Sequence, residues 1–435
     1  MTPTSVTSPV PRAASVTTAG SIIAEGPASS PVAGPSSTLP GRSTVRTGAE
    51  GLLADDFASL AGLRLGLIVH QASMVGDRHL IDVVGEMPEI ELAAVFAPEH
   101  GVRSEVDAGV AVADGTDAGS GVPVFSLYGE TRQPTPEMLR GIDVLVYDLQ
   151  DVGVRCYTYI STMGLAMQSA AAAGIPFIVL DRPDPLGGDR LGGFVRDSAQ
   201  VSFVSQYPIP TVYGLTAGEL ASAIKGEGWL PGLEDLDLRV IEMQGWSRGT
   251  PWPVLDRPWV APSPGLPTEV AALTYPATVL FEATTLSYGR GTDRVFRWIG
   301  APWLDGNALA ADLNRRDLPG VRFDPVSFTP DSALAPEPRF SGIDIDGVEV
   351  VVLDLVAFDP VMTGIHLLTA AQSASDAAGT GSIVDRPQMF DLLAGSDRLR
   401  RALAASESAE DIIGGWDAEL AAYDELRLRY LRYGG

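Results

Sequence analysis

Cysteine, lysine and histidine are scarce in this 435-residue chain. The single cysteine, Cys156, excludes an internal disulfide framework and reads as a small buried hydrophobe rather than a reactive thiol. Lys225 is the only lysine, which removes the phosphate-cradling lysine, and no G-x-x-x-x-G-K-[ST] loop is present. Four histidines (His70, His79, His100, His366) show no close pairing, so neither a zinc site nor any other metal is expected. A G-x-S-x-G elbow is missing, which leaves the common serine-hydrolase plan unsupported. There is also no run of eighteen apolar residues, so no membrane span is expected. Acids, by contrast, are abundant: 55 Asp and Glu face 30 Lys and Arg, a formal net charge of −25. Nucleic acid and anionic membrane surfaces are poor partners for such a field. Carboxylates are the catalytic groups in ready supply.

At 45% hydrophobic residues the chain can bury a large core, and its length exceeds the roughly 250–300 residues that one core usually fills. Residues 1–48 are mostly Pro, Ser, Thr, Ala and Gly and read as a disordered tail, too poor in apolar side chains to offset its ordering entropy. The tail lacks the apolar core of a signal peptide, so the expected location is cytoplasmic, with export requiring a different start. Residues 49–200 alternate between short apolar strands (64–70, 92–97, 122–127, 143–149, 176–181) and helices (78–87, 135–140, 157–173), the last ended by Gly174. That alternation predicts an α/β domain with a mostly parallel, Rossmann-like sheet. The dinucleotide glycine fingerprint is absent after the first strand, where His70-Gln71-Ala72-Ser73 stands, which disfavours a nicotinamide-dependent oxidoreductase. Residues 201–435 read as a smaller α+β domain that closes over the first, with helices at 216–226, 308–314 and 361–375 and strands at 236–242 and 347–355. Its long loop from Trp246 to Pro267 is of the kind that is usually functional. The tryptophans gathered around it (Trp229, Trp246, Trp252, Trp259, Trp298) either stack on sugar rings or fill irregular cores.

Three strands of the first domain end in polar clusters. They are Pro98-Glu99-His100-Gly101, the stretch Gln150 to Arg155 leading into Tyr157-Thr158-Tyr159, and Asp181-Arg182-Pro183-Asp184-Pro185. Neighbouring strand ends of a parallel sheet share one edge, where ligands bind, so the clusters can converge on a cleft. Each also has a plainer reading: Glu99 as a turn cap, Asp181-Arg182 as a structural ion pair. The second domain adds Glu282 and, between two glycines, Arg290, suited to an ion pair or to a carboxylate ligand.

Pro98-Glu99-His100-Gly101, Asp148 to Tyr159, Leu180 to Pro183, Gly214 to Leu220, Pro262-Ser263-Pro264 and Gly289 to Thr292 occur in one order. Together they resemble the exo-β-N-acetylmuramidase family, glycoside hydrolase family 171, formerly a domain of unknown function. The resemblance runs from about Leu63 to the C-terminus. It implies a Rossmann-like domain plus a smaller C-terminal domain, an active site in the cleft between them, and no cofactor. It also implies removal of β-1,4-linked N-acetylmuramic acid from the non-reducing ends of peptidoglycan fragments, so the expected partner is a small muropeptide sugar. Glu99 then takes the role of catalytic acid, and a raised pKa would serve it. His100, Asp151, Arg155, Tyr157 and Tyr159 match positions expected around the sugar, with Asp181, Arg182, Glu282 and Arg290 as further substrate contacts. Arg155 or Arg290 would meet the lactyl carboxylate, and Asp151 or Glu282 would be the second carboxylate. Retaining, inverting and acetamido-assisted routes all stay open. The chain departs from the family pattern at His70-Gln71, Tyr213 and Thr285, positions that bear on substrate contacts. The alternative is a non-catalytic cell-wall-sugar-binding protein using the same cleft.

Overall fold

The computed structural model describes residues 44–434, apart from 104, 105 and 108. Seven segments form one sheet: β1 (Arg64–Val69), β2 (Glu91–Ala97), β3 (Gly115–Thr116), β4 (Pro123–Ser126), β5 (Val144–Asp148), β6 (Phe177–Leu180) and β7 (Leu238–Ile241). Their order is β3-β4-β2-β1-β5-β6-β7, and every neighbouring pair is parallel except β3 with β4 at the edge. β5 and β6 are buried at every residue, which is why their sequences are continuously apolar instead of alternating. Gly66 in β1 is required by packing, since a Cβ there would lie within 3.0 Å of Leu145, Phe96 and Ile142. The sheet is the α/β, Rossmann-like one expected.

Four helices accompany these strands: α1 (Gly48–Leu53), α2 (Leu80–Gly85), α3 (Tyr159–Ala173) and α4 (Ala217–Gly226). Gly174 closes α3 in the left-handed conformation, φ 68°, as its position in the sequence suggested. A reciprocal capping box between Thr216 and Glu219 starts α4. Because α4 is one more crossover helix in the same alternation, the strand after it, β7, pairs with β6. The large sheet thus draws its last strand from beyond residue 200. Residues 136–140 form turns instead of the short helix expected there.

Of the tail read as disordered, residues 1–43 lie outside the described residues. Within residues 44–48, Val45, Thr47 and Gly48 are buried, Arg46 bridges to Gln244, and Thr47 caps α1. Among the described residues no helix is long and apolar enough to cross a membrane.

The second half is built on an antiparallel sheet of β8 (Trp298–Ala301), β9 (Val321–Phe328) and β10 (Ile345–Val352), in the order β8-β10-β9. Helices α5 (Glu269–Thr278), α6 (Gly306–Arg315) and α7 (Pro360–Ala378) surround it, followed by shorter helices from Pro387 to Arg427. α5 carries Pro276 and gives way to a tight 3-10 turn, Val279–Ala283, and this turn presents Glu282.

The chain reverses direction across the sheet between β1 and β5: β2 lies on one side of that pair and β6 on the other. In open α/β sheets the ligand crevice forms beyond the strand ends at such a switch point.

Candidate active site

One wall of the cleft begins where β2 stops. His100 and Gly101 both take positive φ, 73° and 82°, so the chain doubles back immediately after Pro98. A non-glycine residue in that conformation is uncommon and needs support, which the His100 ring receives from the Val106 carbonyl at 3.1 Å. The turn sets Glu99 at the cleft with its carboxylate anchored. Oε1 accepts the Gly109 N–H at 2.8 Å and Oε2 accepts the Thr158 hydroxyl at 2.7 Å. Burial, with the charge of nearby Glu99 acting in the same sense, pushes the Tyr128 phenol up to about 12. Burial likewise lowers the pKa of His100, and the charge of Glu99 acts in the opposite sense.

The facing wall comes from the second half. Tyr275 of α5, Glu282, Tyr288, Arg290 and Arg386 line the same cavity of about 390 Å³ as Glu99, His100, Tyr128, Tyr157 and Thr158. Glu282 has no hydrogen-bond donor among the described residues. Burial raises its pKa to about 7, Arg290 and Arg386 pull it down by less, and Glu99 pushes it further up. Tyr275, Tyr288 and Cys156 also face this carboxyl. Gly289 and Gly291 hold Arg290 in a turn that admits no side chain: a Cβ on Gly289 would meet the Arg294 carbonyl at 2.4 Å, and one on Gly291 would meet Pro338 at 2.8 Å. The Nε of Arg290 donates to the Pro336 carbonyl at 3.1 Å.

The long loop supplies the floor through Ser263, Gly265 and Leu266. It is strapped to the sheet at the switch point. His70 contacts the Pro262 carbonyl through Nδ1 at 3.3 Å while its Nε2 accepts the Gln150 N–H at 2.9 Å. Gln71 donates to the Ala261 carbonyl at 2.8 Å, and the Tyr159 hydroxyl donates to the Pro262 carbonyl at 2.6 Å. His70-Gln71 therefore positions the loop from behind.

Of the ten residues singled out in the sequence, the structure brings Glu99, His100, Tyr157, Glu282 and Arg290 to the cleft. Tyr159 stands behind it, edge to face with Tyr157 at 4.8 Å. The other four are internal. Asp151 accepts the Gly153 N–H at 2.8 Å and the Tyr213 hydroxyl, and burial raises it to about 6. Arg155 is fully buried, its guanidinium spent on the carbonyls of Phe194 (2.9 Å), Ile209 (2.8 Å) and Leu393 (3.1 Å). Asp181 is held at 2.6 Å by Thr216 and by Tyr433 and at 2.9 Å by the Gly218 N–H. Arg182 forms a two-pronged ion pair with Asp148 at 2.6 and 2.8 Å. None of these four lines the cleft. The tryptophans stay out of it too; Trp246 and Trp252 sit in a small core with Val45, Met243, Leu255 and Tyr433. The sequence reading did not name Tyr128, Thr158, Tyr275, Tyr288 or Arg386 as site residues. Thr158 stood between two tyrosines already marked, whereas Arg386 comes from a polar C-terminal stretch with no motif around it.

A parallel-sheet domain whose strand-end cleft is closed by a second domain and holds two facing glutamates is built as a glycoside hydrolase is. Residues 65–270 match the family described as exo-β-N-acetylmuramidase NamZ, N-terminal, and residues 273–433 match its C-terminal counterpart. The chain is 41% identical to the peptidoglycan β-N-acetylmuramidase NamZ of Bacillus subtilis (strain 168), over 89% of this chain and 91% of that one. Two solved structures of DUF1343 family proteins from Bacteroides fragilis NCTC 9343 are similar. One has a TM-score of 0.81 at 37% identity and covers 89% of this chain and 99% of its own. The other has 0.74 at 32%, covering 90% and 99%. The chain belongs to the exo-β-N-acetylmuramidase family.

Proposed function

We propose that this glycosidase releases N-acetylmuramic acid from the non-reducing end of peptidoglycan fragments, with Glu99 and Glu282 as its pair of catalytic carboxylates. The observation that carries the assignment is the contrast between them within one cavity of about 390 Å³, a size that suits a small sugar ligand. Glu282 has no donor among the described residues and, with its pKa raised to about 7, keeps a proton to give to the glycosidic oxygen near neutral pH. Glu99 receives donors on both oxygens, an arrangement suited to an anion facing the positive charge that develops at the anomeric carbon. This assignment moves the acid role implied for Glu99 to Glu282 and makes Glu282, in preference to Asp151, the second carboxylate.

The test compares wild type, Glu99→Gln and Glu282→Gln on a muramic acid–glucosamine disaccharide and on a nitrophenyl muramide. An acid is dispensable when the leaving group departs unaided. Glu282→Gln should therefore lose the disaccharide activity while retaining most of the nitrophenyl activity, and Glu99→Gln should lose both. The reverse pattern returns the acid role to Glu99. Wild-type binding of the muramide without release overturns the enzymatic reading in favour of a sugar-binding protein. Cytoplasmic placement is tested by cell fractionation, and recovery of the protein from the culture fluid overturns it.

A further inference from the structure

We infer that Arg386, acting with Arg290, is the receptor for the carboxylate that sets muramic acid apart from other N-acetylhexosamines, and that Met389 receives the methyl group beside it. The inference rests on the reading of the cleft as a muramidase site. A lactyl ether carries one anionic group and one methyl on a short branch, so its receptor needs a cation next to an apolar surface. Arg290 and Arg386 are the arginines that line the cleft, and both act electrostatically on Glu282.

Arg386 is exposed and weakly engaged. Its nearest acid, Asp385, is 4.0 Å away and is itself taken by Arg339 at 2.6 Å. Its place is nevertheless fixed: the Arg386 N–H donates to the Ala283 carbonyl at 3.4 Å, beside Glu282 in the chain, and Arg386 leads into the helix Pro387–Ala394. Met389 of that helix also lines the cleft, three residues on and so on the same side of the first turn. Arg155, the other arginine considered for the carboxylate, has its guanidinium committed to three backbone carbonyls.

Charge counting points the same way. Two guanidiniums share the cleft with Glu99 and with a Glu282 whose pKa burial raises to about 7, which leaves cationic capacity for one ligand carboxylate. A fork-shaped guanidinium is also the group that best matches a carboxylate in two parallel hydrogen bonds. Binding there has a second effect. Neutralising the arginines weakens their downward pull on Glu282, so the sugar that fits also favours the protonated acid. Glu99, Tyr275, Tyr288 and Cys156, the other groups facing Glu282, keep their places.

The experiment measures kcat and KM for nitrophenyl N-acetylmuramide and nitrophenyl N-acetylglucosaminide with wild type, Arg386→Gln and Arg386→Lys, alongside calorimetric binding of free N-acetylmuramic acid. Arg386→Gln should raise KM for the muramide roughly 10–100-fold, the loss of a charged hydrogen-bonded contact, and leave the glucosaminide within about twofold. Arg386→Lys should fall between the two. Equal losses on both substrates, or an undiminished muramide preference, overturn the inference. Calorimetry separates the two readings. If the wild type binds N-acetylmuramic acid without turnover, the activity fails while the receptor stands, provided that Arg386→Gln weakens that binding.

Discussion

At the end of β2, Glu99 is held by the Gly109 N–H and the Thr158 hydroxyl, and its carboxylate borders the cavity. At the ends of β5 and β6 the polar groups are internal: Arg182 pairs with Asp148, Asp181 is held by hydroxyls and a backbone N–H, and one oxygen of Asp151 takes the Gly153 N–H and the Tyr213 hydroxyl. The three strand ends look alike in sequence. Their difference lies in what the rest of the chain does with them. The second half of the protein faces the end of β2 and leaves a gap, whereas Tyr213, Thr216 and Tyr433 fill the space beyond β5 and β6. A polar strand end is a site where another element faces it without filling it; where side chains close in, the same residues become scaffolding.

The largest expected effect sets these two regions directly against each other. Glu99→Gln should lower disaccharide turnover by roughly 10²–10⁴-fold with little change in melting temperature. Asp151→Asn, measured under the same conditions, should stay within about tenfold of wild type. A comparable collapse in Asp151→Asn would erase the distinction. The next effect falls on the scaffold. Arg155→Met leaves the carbonyls of Phe194, Ile209 and Leu393 without their donor, and at about 1–3 kcal/mol for each unsatisfied buried group it should cost several kcal/mol in urea denaturation. The muramide-to-glucosaminide preference of the folded protein should survive.

A third effect sharpens the contrast through pH. If protonated Glu282 is the acid, kcat/KM for the disaccharide should decline about tenfold per unit as pH rises beyond about 7, the value to which burial raises this group. The nitrophenyl activity, which needs no acid, should lack that limb in wild type and in Glu282→Gln alike. The smallest effect concerns stability. Asp184 is buried, its pKa raised to about 7 chiefly by that burial and by nearby Asp151. A carboxyl with a raised folded-state pKa holds its proton more tightly folded than unfolded, so its contribution is fully present below about 4 and is lost as pH rises through about 7. Asp184→Asn should therefore gain stability relative to wild type across that window, read from denaturation midpoints at several pH values.

Much of the large sheet was legible because its central strands are buried on both faces and spell continuous apolar runs, as in Val144–Asp148. Helix ends were legible where capping chemistry is local, as at Gly174 and Thr216. α5 was harder to see: Pro276 interrupts it and its core-facing positions include Thr274 and Thr278, which bond back onto the helix. β9 hid behind Pro325, tolerated because β9 is an edge strand. Within the site, Glu99 and Glu282 stood in recognisable surroundings. The fates of Arg155 and Arg386 depend on which distant segments arrive beside them, information that no local pattern contains.

The three carbonyls gathered by Arg155 have a consequence for how the molecule comes apart. Phe194 and Ile209 lie within the family's N-terminal region and Leu393 within its C-terminal one. The Tyr423 hydroxyl, donating to the Tyr213 carbonyl at 2.9 Å, ties the two regions again. Neither region can unfold without stripping partners from the other's buried polar groups. Despite its two recognisable parts, the protein should melt in one cooperative transition, with calorimetric and van't Hoff enthalpies in agreement.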